Sequence, residues 1–406
     1  MEKLAAMILA GGRGKRMGFL SQERPKPALP FAGRFRIIDF TLSNCIHSHI
    51  DNIALLLDYQ RSHMANYLDR WNVANVPFSN FHILEPGAGS YKGTADAIYQ
   101  NLAHLQKYGP DRILILAGDH VYKMDYRRML AFHEQMNADV TVGVVQVPIE
   151  QAHRFGTVII DAAGRIQDFV EKARVPTSNL ASMGIYVFNE DILVKRLTDD
   201  AANPDSLHDF GYAILPAMVK KYEDRVYAFK FEGYWQDIGT IEAYYAANME
   251  LTHEKPSFSL NGSWPVFTED QTKLNGLSQQ GIIQNSIVSP GCVVKGRVEN
   301  SILSPGVRIE EEAVVVNSVL MENVCIGYHS VVDHCVLDEE VNVGKFCYVG
   351  FRTTPTSGEY GITVLGKGAT VPNYVAIGRN CKIMPYVQPT DFVSPVVNSE
   401  SVVLPR

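Results

Sequence analysis

A Rossmann-like α/β domain followed by a β-solenoid is the fold class this sequence predicts, and three observations predict it. Up to about Leu251, apolar runs of strand length alternate with segments of helical period. From Lys255 to Gln280 the pattern breaks into Pro, Ser, Asn, Gly and Gln, which reads as a linker. Beyond it a short motif repeats at nearly constant spacing. The expected division is residues 1–254, a linker over 255–280, and a solenoid over 281–406.

The first strand is Leu4-Ala5-Ala6-Met7-Ile8-Leu9-Ala10, apolar throughout, as suits a strand buried on both faces of a parallel sheet. Arg112–Ala117 and Val140–Val145 read as further buried strands. Between strands, Ile98, Leu102 and Leu105 recur at helical spacing, with Thr94 as the N-cap. Alternating strands and helices predict a mostly parallel sheet with helices on both faces. Such sheets bind ligands beyond the C-terminal ends of their strands.

The loop after the first strand lies at such an end. It turns through Gly11, Gly12, Arg13, Gly14, Lys15 and Arg16, and Lys26 follows between two prolines. Glycines let backbone N–H groups approach a phosphate, and the cations neutralise it. A glycine-rich basic loop on a buried strand therefore points to a polyphosphate site. It is not a Walker loop, because Arg16 stands where Ser or Thr is needed. It is not the dinucleotide fingerprint either, because Met17 stands where the third glycine is needed.

Composition sets bounds. The chain has 406 residues, 46% of them hydrophobic, enough for large cores. Its net charge is −7, which argues against broad binding to nucleic acid or to a membrane surface. No apolar run reaches the ~20 residues of a membrane span. Six cysteines occur, none in a CxxC pair; five lie in the last third among Val and Ile and read as small buried thiols. With Met1-Glu2-Lys3 leading straight into the first strand, the expected setting is the reduced cytoplasm.

In the last third, Asn285-Ser286-Ile287-Val288-Ser289-Pro290-Gly291 recurs as Asn300-Ser301-Ile302-Leu303-Ser304-Pro305-Gly306. Looser copies start at Asn317 and His334, and successive starts lie 15, 17 and 17 residues apart. Aliphatic residues return about every six positions, often beside glycine, as at Val307, Ile326, Val343 and Ile377. One inward aliphatic per short strand, with a tight corner, stacks into a solenoid.

These motifs together resemble the sugar-1-phosphate nucleotidyltransferase family. The segment Gly33-Arg34-Phe35-Arg36-Ile37-Ile38-Asp39-Phe40-Thr41-Leu42-Ser43-Asn44-Cys45 is most similar to members that act on glucose 1-phosphate and ATP. The solenoid resembles the hexapeptide-repeat left-handed parallel β-helix. The resemblance implies transfer of the adenylyl group of ATP to α-D-glucose 1-phosphate, giving ADP-glucose and pyrophosphate for glycogen-type glucans, with Mg²⁺ as cofactor. It implies that Arg16 and Lys26 meet the leaving pyrophosphate, and that Leu9, Gly11, Gly12, Gly14, Tyr91 and Gly93 line the nucleotide. Asp119, in Ala117-Gly118-Asp119-His120, and Asp237, in Trp235-Gln236-Asp237, would hold the metal. Gly156, Glu171, Lys172 and Ser182, with Tyr91, would take the sugar phosphate. Leu207-His208-Asp209-Phe210-Gly211 also matches, and a structural role beside the sugar is expected of it.

Two departures stand out: Ser90 where the family usually has Trp, and Ala173 where it usually has Pro. The resemblance further implies a homotetramer switched by small metabolites, with Arg24 and Arg36 as anchors for effectors. Glu23 stands where activator-binding relatives often carry a cation, which argues against a strong response to fructose 1,6-bisphosphate. The alternatives are another base or sugar (UTP or GTP, N-acetylglucosamine 1-phosphate) and a catalytically silent regulatory subunit. An acyltransferase using His329 or His334 in the solenoid is a third. Retention of Asp119, Asp237, Arg16, Lys26 and Lys172 argues against the silent subunit.

Overall fold

The structure is a computed structural model that describes residues 3–12, 14–74, 80–87, 89–269, 276–351 and 361–406. Arg13 and residues 270–275 of the expected linker lie outside the described residues. The chain forms two compact units. One comprises Met1–Gly12, Ile38–Asn66 and Val76–Trp235; the other comprises Arg13–Ile37, Tyr67–Asn75 and Gln236–Arg406.

The first unit is built on a sheet whose strands lie in the order 166–171, 156–160, 180–189, 112–117, 4–9, 52–56 and 80–84. Strand Val140–Gln146 also pairs with 180–189 and carries Val226–Lys230. Four neighbouring strands, from 80–84 to 112–117, are parallel, as the alternating pattern predicts. Strand Leu180–Asn189 runs antiparallel to all three strands it pairs with and turns the rest of the sheet mixed. The central residues of Leu4–Leu9 and Arg112–Ala117 are buried, which explains why neither run alternates with polar residues. In register, Leu9 pairs with Leu56 and with Ala117, so three parallel strands end side by side. The glycine loop leaves the first of these ends, and the Gly118-Asp119 turn leaves the third.

The expected helix from Thr94 is shorter than its period suggested. It runs Thr94–Tyr99, breaks, and resumes as Leu102–Gln106. Thr94 is not its N-cap. Its hydroxyl donates to Asp209 Oδ2 at 2.8 Å and accepts from Phe210 N at 3.0 Å, so a tertiary use outcompetes the cap.

In the second unit, short strands stack in parallel into three sheets, one per side of a prism. Residues 287–288, 302–303, 319–320, 335–337, 363–365, 382–383 and 402–403 form one such side. Val307, Ile326, Val343 and Ile377 all point inward and are buried. The repeat starts Asn285, Asn300, Asn317 and His334 have φ between 44° and 54°. They make left-handed corners, a conformation Asn and His accept more readily than most residues. The following hydroxyls form a ladder: Ser301 N donates to Ser286 Oγ at 3.0 Å, Ser318 N to Ser301 Oγ at 3.1 Å, and Cys335 N to Ser318 Oγ at 3.1 Å. The motif is thus a corner plus a hydrogen-bond relay. All six cysteines are free, and burial raises the pKa of each thiol. Among the described residues no helix is long and apolar enough to cross a membrane.

Candidate active site

In the first unit, Leu9 O accepts from Gly118 N at 3.0 Å, tying the end of the first strand to the turn that carries Asp119. Asp119 is half-buried, with His120 Nε2 3.5 Å from its Oδ1. The His120 ring meets Trp235 edge-on at 5.2 Å, and Phe155 meets the same indole at 5.3 Å. Strand Leu180–Asn189 pairs Ile185 with Leu116, so Ser182 and Gly184 run beside the Asp119 turn. A Cβ on Gly184 would lie 3.3 Å from Ala117 Cβ, and its φ of 66° needs glycine there.

Glu171 and Lys172 form the second cluster of this unit. Glu171 ends its strand opposite Gly156 in the ladder. A Cβ on Gly156 would lie 2.5 Å from Glu171 Oε2, and one on Gly211 would lie 2.4 Å from the same oxygen. Two glycines therefore clamp this carboxylate from different strands of sequence. Lys172 follows in the left-handed region, φ 47°, which is uncommon for a lysine and marks a constrained position. Its Nζ donates to Glu171 Oε1 at 2.6 Å. Burial opposes the charge of this ammonium, but Glu171, with Tyr212 and Asp209, outweighs it and raises the pKa.

Gly93 is the most crowded of the expected site glycines. A Cβ there would sit 2.3 Å from His208 O and 2.7 Å from Leu207 O. His208 O also accepts from Ala95 N at 2.9 Å and Asp96 N at 3.2 Å. The Gly93-Thr94 turn and the Leu207–Gly211 segment are thus docked backbone to backbone. Tyr91 is half-buried; its hydroxyl accepts from Asn101 Nδ2 at 3.0 Å, and burial raises its pKa. Ser90 is exposed. Gly11 is close-packed, with Asp58 N and Cβ both 3.0 Å from where its Cβ would be, whereas nothing lies within 4 Å of one on Gly12.

In the second unit the basic loop meets the other carboxylate. Gly14 adopts φ 58°, and Met17 N donates to its carbonyl at 2.7 Å, starting the turn Lys15–Ser21. Lys26, itself buried, places Nζ 3.0 Å from Asp237 Oδ1. Beside them, a Cβ on Gly239 would be 2.8 Å from Asp237 Oδ2 and 3.1 Å from Arg16 Nη2. Arg16, Lys26 and Asp237 are therefore gathered, although 211 residues separate the last two.

The same loop is fastened to the solenoid by ion pairs whose acidic partners no motif marks. Arg24 pairs with Asp338 and, at 2.7 Å, with Glu339; Arg36 pairs with Glu322 at 3.0 Å and stacks over Tyr67 at 5.5 Å. Lys367 reaches Glu339 at 3.2 Å and Glu23 at 3.7 Å, and Tyr386 donates to Glu23. Both arginines expected to anchor effectors are engaged with acidic side chains of the solenoid. His329 and His334 both occupy left-handed corners. His334 contacts Asp333 at 2.6 Å and His329 stacks on Phe346 at 5.4 Å.

The nucleotidyl transferase family model matches residues 5–254, and the GlmU-like C-terminal hexapeptide model matches residues 271–371. Proteins named glucose-1-phosphate adenylyltransferase match along nearly their whole length. That of Thermotoga neapolitana is 42% identical, with all of both chains covered. That of Acetivibrio thermocellus is 40% identical, over 98% of this chain and 97% of the relative. This chain belongs to the glucose-1-phosphate adenylyltransferase family. Membership makes it a nucleotidyltransferase whose second part is a left-handed β-helix, as the repeat predicts. Of the expected site residues, Asp119, Glu171, Lys172 and Ser182 fall on the first unit and Arg16, Lys26 and Asp237 on the second.

Proposed function

We propose that this chain transfers the adenylyl group of ATP to α-D-glucose 1-phosphate, forming ADP-glucose and releasing pyrophosphate for glycogen-type glucan synthesis. A phosphate oxygen of the sugar phosphate forms a bond to the α-phosphorus as the bond to the β-phosphate oxygen breaks, and the electron pair leaves with pyrophosphate. Chemistry of this kind depends on positioning and charge neutralisation rather than on a covalent intermediate. The observation that carries the reading is the full-length relationship at about 40% identity with the required charges retained.

Arg16 and Lys26 serve the leaving pyrophosphate, and Leu9, Gly11, Gly12, Gly14, Tyr91 and Gly93 line the nucleotide. Glu171 accepts from sugar hydroxyls, Lys172 donates to the sugar phosphate, and Tyr91, Gly156 and Ser182 complete that side. Asp119 and Asp237 offer the hard oxygen donors that suit Mg²⁺, which favours one or two carboxylates with phosphate oxygens. Bound there, Mg²⁺ would neutralise charge on the triphosphate. Asp237 pairs with the Lys26 ammonium at 3.0 Å.

The domains are taken as 1–254 and 281–406 joined by 255–280, in a homotetrameric, cytoplasmic, metabolite-regulated enzyme. Pyrophosphate release, measured across four nucleoside triphosphates and several sugar phosphates with Mg²⁺ or EDTA, tests the reading. ATP with glucose 1-phosphate should give the highest kcat/KM, and EDTA should abolish release. Preference for another pair would move the chain to another substrate, and binding without release would mark it as a silent subunit.

A further inference from the structure

The Lys172 ammonium has a neighbour that no motif singled out. Tyr212 is half exposed, and its ring centroid lies 5.4 Å from Lys172 Nζ. It sits in Phe210–Ile214, a single turn of π-helix, a rare element found disproportionately at functional sites. Three contacts fix that turn. Asp209 accepts from Gly211 N at 2.9 Å and from Tyr212 N at 3.1 Å, while its other oxygen takes the Thr94 hydroxyl. Phe210 is buried against Tyr186 at 5.5 Å and Phe188 at 5.7 Å. Gly211, without a side chain, presses on the Glu171 carboxylate. The turn thus anchors one ring in the core and leaves the next-but-one ring over Lys172.

We propose that Tyr212 is a positioning residue for the incoming sugar phosphate: its ring face holds the Lys172 ammonium in place without consuming a donor. An ammonium has three N–H donors. Glu171 takes one. A second carboxylate would take another and neutralise the charge, whereas a ring attracts the cation through its quadrupole and leaves two donors for phosphate. The left-handed backbone at Lys172 fixes where the side chain departs, and Tyr212 limits where its end can go.

The inference rests on the proposed role of Lys172, and the test separates the two. Steady-state kinetics of the full-length enzyme are compared for Tyr212→Phe, Tyr212→Leu and Lys172→Gln, with the Tyr212→Leu/Lys172→Gln double variant. Tyr212→Leu is expected to raise KM for glucose 1-phosphate about fivefold to tenfold, the range a partly exposed cation–π contact supports. KM for ATP and kcat should stay within about twofold, and Tyr212→Phe should match the native enzyme because the ring alone acts. In the Lys172→Gln background, Tyr212→Leu should have no further effect. Native kinetics in Tyr212→Leu, or equal damage in Tyr212→Phe, overturns the inference. A normal KM in Lys172→Gln overturns instead the reading beneath it.

Discussion

Gly93→Ala is the sharpest steric test of how the Gly93-Thr94 turn and the Leu207–Gly211 segment are built together. Gly93 has extended backbone that any residue adopts, so the substitution carries no φ strain. The added Cβ, however, would lie 2.3 Å from His208 O, 2.7 Å from Leu207 O and 2.8 Å from His208 C. All three are backbone atoms, so no side chain can swing aside. The shortfall from van der Waals contact is about 1 Å, and the two segments must part by that much. Parting them strains the Ala95 and Asp96 bonds to His208 O and the Thr94 bridge to Asp209 and Phe210. Overpacking and loss of two or three net hydrogen bonds together cost about 2–4 kcal/mol. A displacement of this size near a reacting centre is worth about 10²-fold in rate. The expected outcome is therefore a lowered unfolding midpoint and a kcat/KM reduced about 10²-fold for both substrates, because Tyr91 and Lys172 shift together. Gly87→Ala, with open space around its Cβ, serves as the control and should be silent. Native stability and activity within about threefold in Gly93→Ala would refute the backbone-docking argument.

The other predictions concern charge. Arg16→Ala should lower kcat about 10²-fold while leaving KM for glucose 1-phosphate within about threefold, since the arginine serves the leaving group; equal small changes in both would make it a surface turn residue. Glu322 is pushed up to about 7 by burial, with Arg36 opposing and Glu339 adding to the rise, so near neutral pH the folded protein keeps a proton that the unfolded chain has lost. Because the folded pKa is raised, this group weakens stability as pH climbs from 4.5 towards 7, and the penalty then stays constant. Glu322→Gln should match the native protein near pH 5 and exceed it by about 1 kcal/mol at pH 8 in urea unfolding; a less stable variant at pH 8 would mean that the ion pair with Arg36 dominates.

Much of the fold was legible because it is written in local pattern. Continuous apolar runs at residues 4–10 and 112–117 marked strands buried on both faces, and the 15- and 17-residue spacing of the Asn-Ser motif marked solenoid coils. The structure adds why Asn opens three of the four repeats, since the corner needs a left-handed residue, and why Ser follows it, since its hydroxyl bonds the next coil. Features set by distant partners were not legible. Thr94 looks like a cap until Asp209 and Phe210 claim its hydroxyl. Tyr212 lies one residue past a recognised motif, and no spacing rule connects it to Lys172. Arg24 and Arg36 read as anchors for effectors, yet their carboxylate partners lie some three hundred residues on.

That last point bears on how the basic loop is held. A loop with several cations would repel itself and fray unless something offsets the charge. Here its two arginines are buried against Asp338 and Glu339 of the solenoid, and Glu322 lies 3.0 Å from Arg36. Burial alone would push Glu339 up, but Arg24 and Arg36 outweigh it and draw the carboxyl down to about 2. Removing Glu339, which faces both arginines, would leave buried charge unmatched, far costlier than the pairs are worth on balance. The acidic coils therefore fix the base of the loop, and through Gly14 they constrain where Arg16 and Lys26 stand. On this reasoning a solenoid carboxylate such as Asp338, remote in sequence from every motif, constrains the loop as strictly as the loop's own glycines.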